Sequence, residues 1–488
     1  MNRAKNTLFR SGAHADVSWA VALRADVLSD DVLSVDVLCV ALPWPDGLVV
    51  GGVASSLIDD HPRTPASGRC LLPRTLGHNV PETGRAMLES LRSVVQLKPI
   101  EWDRIERQLA KCGNVSDVRK IAKGNLPGGV FDYIDGGAED EISLERNSTA
   151  FEKMVLHPNV LCDVHEVDTT TELFGVLRQT PILLAPTGFT RIAHPQGELA
   201  VARAAAKYGM PYGLSTLGTR GIEELAAVAS APLWFQVYVW KDRGLVTEMI
   251  TRAAAAGYEA IIVTVDTAVL GRRERDVRRG FTLPPKIGPG TFIDGALHPR
   301  WSIDLLRNEP ITFANVAGMT GIDGTTAVSL SDYVNAQFDQ ALSWESLEWI
   351  RAASDLKVVL KGIQRIDDAC RAADMGVDAV ALSNHGGRQI DGTLAPVEML
   401  AGVVDAIGHT QTAVIVDGGV RRGSDVVKAM ALGADAVMLG RPYLYGLGAG
   451  GERGVEWVLD HLVSGMQRTM ALCGRSSINE LTPDLVSY

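Results

Sequence analysis

The most regular hydrophobic pattern lies between Pro181 and Gly440, where short apolar runs alternate with longer, alanine-rich amphipathic stretches. Three segments show the design plainly: AAGYEAIIVTVD from Ala255, DMGVDAVALSNHGG from Asp374 and ALGADAVMLGRP from Ala431. In each, a helical stretch ends at a glycine (Gly257, Gly376, Gly433), which suits a left-handed helix cap. The β-rich run that follows is almost wholly apolar, as expected of a strand covered on both faces in a parallel sheet. The same run recurs in PILLAP from Pro181, MPYGLS from Met210, LWFQVYV from Leu233, KVVLKG from Lys357 and TAVIVDGG from Thr412. GELAVARAAAKYG, LVTEMITRAAAAG, DDACRAADMG and SDVVKAMALG supply matching helices. About eight strand–helix units predict an α/β fold closed into a (β/α)₈ TIM barrel rather than an open doubly wound sheet.

The chain before about Val95 reads differently. Asp-Val-Leu recurs at Asp26, Asp31 and Asp36, a spacing that fits neither a helical nor a strand period, and six prolines from Pro43 to Pro81 punctuate the rest. Residues 1–95 are therefore expected to be a disordered extension, or sequence upstream of a true start for which Met87 is one candidate. An accessory haem module is the alternative, but no His-Pro-Gly-Gly or CxxCH motif supports it. Residues 96–488 then form the barrel domain. A Gly- and Pro-containing insertion, 280–339, interrupts it and is too long for an ordinary connection.

Composition narrows the class. With 488 residues, 46% hydrophobic and 22% charged, the chain has the balance of a soluble globular protein and room for a barrel of about 250 residues. A net charge of −11 argues against a nucleic-acid partner, so clustered basic residues are expected to serve a local anionic ligand. Cys39, Cys70, Cys112, Cys162, Cys370 and Cys473 are scattered without a CxxC pair, which suits a reducing cytoplasm and gives no metal signature. No apolar run is long enough to span a bilayer, and none follows Arg3, Lys5 and Arg10 as a secretory signal would require.

A barrel of this kind carries its chemistry just after its strands. There the sequence puts Thr187; Ser215; Gln236 and Tyr238; Thr264 and Asp266; Lys361; Ser383, Asn384 and His385; Asp417, Gly418 and Gly419; Gly440 and Arg441. A helix N-cap would explain any one of these, but not the set. DGGVRRGSD and GRPY combine close-approach glycines with Arg421, Arg422 and Arg441, a phosphate-binding chemistry in the loops where this fold usually holds phosphate. GLGAGG from Gly446 matches GxGxxG, yet it follows the last strand and lacks an acidic partner downstream, so no nicotinamide site is expected. His385 is a candidate general base that Asp266 could orient, and Arg273 and Arg388 could grip a carboxylate. Together these groups suggest removal of a proton or hydride from a small carboxylic acid.

From about Trp102 to Leu481 the chain resembles the FMN-dependent 2-hydroxy-acid oxidases and dehydrogenases. The resemblance rests on SNHGGRQIDG, FDYIDGGAEDE, APTGFTRIAHPQGE, FQVYVWKDR, TVDTAVLGRRERD and DGGVRRGSD. Within the family it is most similar to the bacterial FMN L-lactate dehydrogenases, notably in HPRWSIDLL. The resemblance implies FMN at the C-terminal face of the strands and oxidation of an L-2-hydroxy acid, L-lactate first, to the 2-keto acid. It implies His385 as the base, Asp266 as its orienting partner, and Tyr238 as hydrogen-bond partner of the substrate oxygen. Lys361 would lie beside the flavin, and Arg273, Arg388 and Tyr133 would hold the substrate carboxylate. Ala185, Thr187, Ser215, Gln236, Thr264 and Ser383 would contact the cofactor, whose ribityl phosphate falls to Asp417, Gly419, Arg421, Gly440 and Arg441. Leu217 stands where glycolate oxidases have tryptophan, which disfavours glycolate and marks a position that sets pocket size. Ala268 stands where relatives commonly have proline, stiffening the approach to Arg273.

The resemblance further implies a homotetramer whose flavin is reoxidised by a quinone, with oxygen as the alternative. A mandelate-type enzyme is the neighbouring reading. An FMN-using barrel isomerase is more distant, since it would not need the carboxylate grip. In the insertion, Trp301, Ile303, Leu305 and Leu306 stand beside Arg300 and Arg307. The corresponding region of a resembling mandelate dehydrogenase mediates membrane association. Peripheral contact with the inner face of the cell membrane is therefore expected, with an internally packed lid as the alternative.

Overall fold

The computed structural model describes residues 101–279, 288–316 and 337–488, together with the backbone of Val21–Val27 and Leu33–Cys39. It divides into Met1–Leu97 and Lys98–Tyr488. In the first unit the two strands pair antiparallel, with Val21 opposite Cys39 and Arg24 opposite Asp36. No sustained strand period was expected there. Residues 33–37 do alternate apolar and polar side chains, a short two-residue period that the five-residue spacing of Asp-Val-Leu obscures. The remaining expectations for residues 1–95 lie outside the described residues.

The second unit is a closed barrel of eight parallel strands in chain order. They are β1 (Ile182–Thr187), β2 (Tyr212–Ser215), β3 (Leu233–Tyr238), β4 (Ala260–Thr264), β5 (Lys357–Ile363), β6 (Ala379–Leu382), β7 (Ala413–Asp417) and β8 (Ala436–Leu439). Each matches a run read from the sequence, and β8 pairs with β1 through Val437 and Ile182 to close the ring. Alternation along the strands divides the apolar residues between two cores. Leu183, Trp234, Ile262, Val359, Ile415 and Met438 fill the barrel interior. Ile182, Phe235, Val263, Leu360, Val380 and Val416 face the surrounding helices. Both faces are buried, which is why the strands read as continuous apolar runs.

The helices that follow the strands include α1 (Gly197–Ala206), α2 (Ile222–Ala226), α3 (Arg243–Ala255), α4 (Ser346–Ala352), α5 (Ile366–Asp374), α6 (Pro396–Ile407), α7 (Gly423–Ala431) and α8 (Arg441–Leu472). Gly257, Gly376 and Gly433 take the expected left-handed conformation, at φ 80°, 69° and 94°. The glycines of GLGAGG lie inside α8, which breaks at Gly450 and Gly451. A Cβ on Gly446 would sit 2.4 Å from the Gly454 carbonyl oxygen, so this glycine serves close contact between the two halves of the helix.

Between β4 and α4, a short helix at Glu274–Arg279 precedes the insertion, which carries two more at Pro289–Leu297 and Pro299–Arg307. Pro289 and Pro299 open helices rather than breaking them, since a first-turn N–H has no partner to lose. Residues 280–287 and 317–336 of the insertion lie outside the described residues. Among the described cysteines, Cys112, Cys162, Cys370 and Cys473 are free thiols.

Candidate active site

The turn after β6 presents His385 in an unusual way. His385, Gly386 and Gly387 all take positive φ, at 56°, 64° and 73°, and for histidine this is a strained conformation. The His385 N–H donates to Ser383 Oγ at 3.0 Å, which anchors the turn. Its Nδ1 lies 3.0 Å from Asp266 Oδ1, at the end of β4. The carboxylate can only accept, so Nδ1 carries the proton and Nε2 is left as the acceptor. Asp266 is buried, and burial raises its pKa, but His385 and then Lys361 overcome this and hold it below the ordinary value. Gly362 makes the approach possible: at φ 112°, a Cβ there would lie 2.7 Å from the Asp266 carboxyl carbon.

A second network lies alongside. Lys361 Nζ, on β5, sits 2.7 Å from Asp417 Oδ2 and donates to Ser383 Oγ at 2.9 Å; Ser383 Oγ donates in turn to Asp417 at 2.8 Å. Burial opposes the lysine charge, but Asp417 and then Asp266 raise its pKa, so it stays cationic. Ser383 thus joins the lysine to the histidine turn. On the neighbouring strands, Leu217 N–H donates to Ser215 Oγ, Ser215 Oγ to Gln236 Oε1, and Gln236 Nε2 to Thr264 Oγ1. The chain leaves the Gln236 amide with one orientation. Tyr238 keeps its proton, because burial and then Asp266 raise its pKa.

Two arginines flank one aromatic ring. Arg273 and Arg388 place their guanidinium carbons 5.4 and 5.2 Å from the Tyr133 ring centroid. Arg388 is tied by Nη1 to the carbonyls of Tyr133 and Gly136 at 2.7 and 3.0 Å. Burial and then Arg273 lower its pKa, so an arriving carboxylate would relieve the repulsion between the two cations. Asp276, which the sequence reading did not single out, lies 3.3 Å from Arg273 Nε. Burial raises its pKa despite both arginines. Asp135, also passed over, anchors the Tyr133 segment. It accepts from Arg119 at 2.5 and 2.6 Å, from Arg275 at 2.8 Å and from the Tyr445 hydroxyl at 2.8 Å.

The loops after β7 and β8 form a glycine cradle. Gly418 and Gly419 have φ 112° and 88°, and a Cβ on Gly419 would lie 2.0 Å from the Asn147 carbonyl oxygen. Beside Gly440 there is open space, with no heavy atom within 4 Å of a would-be Cβ. Arg441 donates to the carbonyls of Ile134, Gly386 and Gly136 at 3.1, 2.8 and 2.7 Å, pinning the Tyr133 segment to the His385 turn.

These groups share one cavity of about 780 Å³, within the range of a small-molecule site. Tyr133, Ala185, Thr187, Leu217, Gln236, Tyr238, Thr264 and Arg273 line it, as do Lys361, His385, Arg388, Asp417, Gly419, Arg421, Gly440 and Arg441. Asp266, Ser215 and Ser383 stand just behind the wall, holding His385, Gln236 and Lys361. Phe313 and Phe338 also line the cavity from the insertion. Their contact with the barrel is long-range, and no local pattern in the sequence marks them. No group of His, Cys, Asp and Glu among the described residues could hold a metal ion. The donor set suits a flavin phosphate: backbone turns and arginine at the cradle, and a buried cation with amide and hydroxyl groups along the strand ends.

Comparison with known proteins agrees. The family model of FMN-dependent dehydrogenases matches residues 122–488. An L-lactate dehydrogenase of Caulobacter vibrioides is 42% identical over 374 residues, 75% of this chain and 96% of that protein. An L-lactate oxidase of a Nostoc species is 42% identical over 372 residues, again 75% and 96%. The crystal structure of the monotopic membrane protein (S)-mandelate dehydrogenase matches with a TM-score of 0.74 at 40% identity, covering 77% of this chain and 99% of that one. The chain therefore belongs to the FMN-dependent dehydrogenase family and takes FMN as its cofactor.

Proposed function

We propose that this FMN-dependent 2-hydroxy-acid oxidoreductase oxidises L-lactate to pyruvate and passes the electrons to a quinone. The observation that carries the reading is the His385–Asp266 pair sharing a cavity with Arg273 and Arg388. Arg273 and Arg388, with Tyr133 between them, hold the substrate carboxylate. Tyr238 donates its retained proton to the substrate oxygen. His385 Nε2 takes a proton from the substrate, and Asp266 stabilises the imidazolium that results. Ala185, Thr187, Gln236, Thr264 and Lys361 would hold the flavin ring, and Gly419, Arg421, Gly440 and Arg441 its phosphate. FMN, when bound, supplies the two-electron acceptor. Lys361 provides a fixed positive charge beside it.

The quinone is supported by the insertion. Trp301 packs inward, its Nε1 donating to the Ile192 carbonyl at 2.8 Å. Leu306, Phe292 and Leu297, however, are 84%, 71% and 72% exposed on adjacent helices. No helix among the described residues is long and apolar enough to cross a membrane. Such a surface suits peripheral contact with the inner face of the membrane, where a lipid-dissolved quinone is available. A homotetramer is supported by the family resemblance alone. Steady-state rates on a panel of L- and D-2-hydroxy acids, against quinone analogues and oxygen, test the reading. Oxygen outpacing every quinone would replace the dehydrogenase with an oxidase.

A further inference from the structure

The cavity has two kinds of lining, and they emerge from opposed sides of the barrel. His385 and Arg388 follow β6, whereas Leu217 follows β2, halfway round the ring. Of the residues that line the cavity after β1 and β2, Phe189, Ile192, Ala193 and Leu217 are apolar, whereas those after β4 and β6 include Arg272, Arg273, His385 and Arg388. Gly188 is packed so closely that a Cβ there would lie 3.2 Å from Leu217 Cβ. The Phe189 N–H donates to the Leu217 carbonyl at 2.9 Å. The third part of this wall comes from the insertion. Phe313 is 3% exposed, its ring centroid is 5.6 Å from that of Phe189, and it lines the same cavity.

The residues after Phe313 fix its place. Ala314 N–H donates to the Gly218 carbonyl at 3.1 Å. Asn315 is fully buried; its Oδ1 accepts from Ile222 N–H at 2.9 Å and its Nδ2 donates to the Ser215 carbonyl at 3.1 Å. One side chain therefore ties down both ends of the loop that carries Leu217. A buried amide with both functions satisfied is a stiff connection, since breaking it strands a donor and an acceptor.

We infer that Phe313, with Phe189 and Leu217, forms the wall against which the substrate's apolar side chain packs, and that Asn315 positions this wall. The inference rests on the 2-hydroxy-acid reading above. With the carboxylate held by the arginines and the hydroxyl by His385 and Tyr238, the remaining substituent points away from the charged loops. Phe313 limits the length of that substituent. One methylene in an apolar pocket changes discrimination by about 10- to 200-fold.

The test uses the full-length, FMN-loaded protein and measures kcat/KM on straight-chain L-2-hydroxy acids from lactate to 2-hydroxyoctanoate. Phe313→Ala should raise the ratio of long-chain to lactate kcat/KM by about tenfold or more. Phe313→Leu should move it less, in the same direction. Asn315→Ala should move the ratio the same way, although it removes no atom from the cavity wall. The KM for a soluble dye acceptor should not change. Ratios that stay within about twofold of wild type in FMN-replete Phe313→Leu and Asn315→Ala overturn the inference and leave the function standing. A change confined to the acceptor KM overturns it as well, by assigning the wall to the acceptor. A wild-type protein that oxidises no 2-hydroxy acid overturns the function, and the wall with it.

Discussion

Replacing Asp266 with Asn separates the charge of the His385–Asp266 pair from its shape. The two carboxylate oxygens have different surroundings: Oδ1 meets His385 Nδ1 at 3.0 Å, while Oδ2 has no hydrogen-bond partner. An asparagine that turns its NH₂ toward the histidine donates to Nδ1. The imidazole proton then moves to Nε2, the nitrogen that must accept the substrate proton. Two losses combine. The charge-assisted bond to the imidazolium is worth roughly 1.5–3 kcal/mol, or about 10- to 150-fold in rate. The wrong tautomer removes the base itself, so the full loss should fall in the ~10²–10⁴ range of general-base catalysis. The assay is kcat on L-lactate with flavin content measured on the same sample. FMN should remain bound, because Asp266 stands behind the cavity wall. A kcat within about threefold of wild type, with flavin retained, would refute the assigned pairing.

Three further outcomes follow from the geometry. Burial raises the Asp135 pKa, but Arg119, Tyr445 and Arg275 outweigh it and bring it to about 2. A depressed folded-state value stabilises above the unfolded pKa of about 3.9 and is lost as pH falls through about 2, a contribution of roughly 2–3 kcal/mol. Asp135→Asn should therefore lower the urea midpoint at neutral pH and flatten its acid dependence between about pH 4 and 2; parallel wild-type and variant curves would contradict this. Phe292→Glu with Leu306→Glu should abolish co-sedimentation with anionic liposomes while dye-linked activity persists, and a wild type that never sediments ends the membrane reading. We also propose that a chain beginning at Met87 holds FMN and turns over like the full chain, which flavin analysis and kinetics would check; loss of flavin would make the earlier residues part of the barrel's support.

The barrel was legible because its strands are covered on both faces and its helices end on glycine, both of which leave local marks. Polar residues at strand ends were legible for the same reason, since they interrupt apolar runs at a fixed place. Residues that work at a remove were harder to read. Asp135 sits in FDYIDGG two places after Tyr133, and nothing in the sequence says that Arg119, Arg275 and Tyr445 converge on it. Asp276 follows Arg273 by three residues, a spacing meaningful only once Glu274–Arg279 is known to be helical. Phe313 and Phe338 are buried by contacts far away in sequence, with Phe189 after β1 and with Tyr238 at the end of β3. Ser215 and Ser383, expected against the cofactor, also bond to Gln236 and Lys361, which line the cavity, and composition cannot show such pairings.

The central claim is that this cavity oxidises an L-2-hydroxy acid at its flavin. Anaerobic mixing of the FMN-loaded protein with L-lactate, and separately with D-lactate, tests it without reference to any electron acceptor. Rapid loss of the oxidised-flavin absorbance with the L-isomer, matched by one pyruvate per flavin, and none with the D-isomer, is the predicted result. A flavin that stays oxidised with L-lactate and with every other L-2-hydroxy acid, while chemical reductants bleach it normally, would contradict the account.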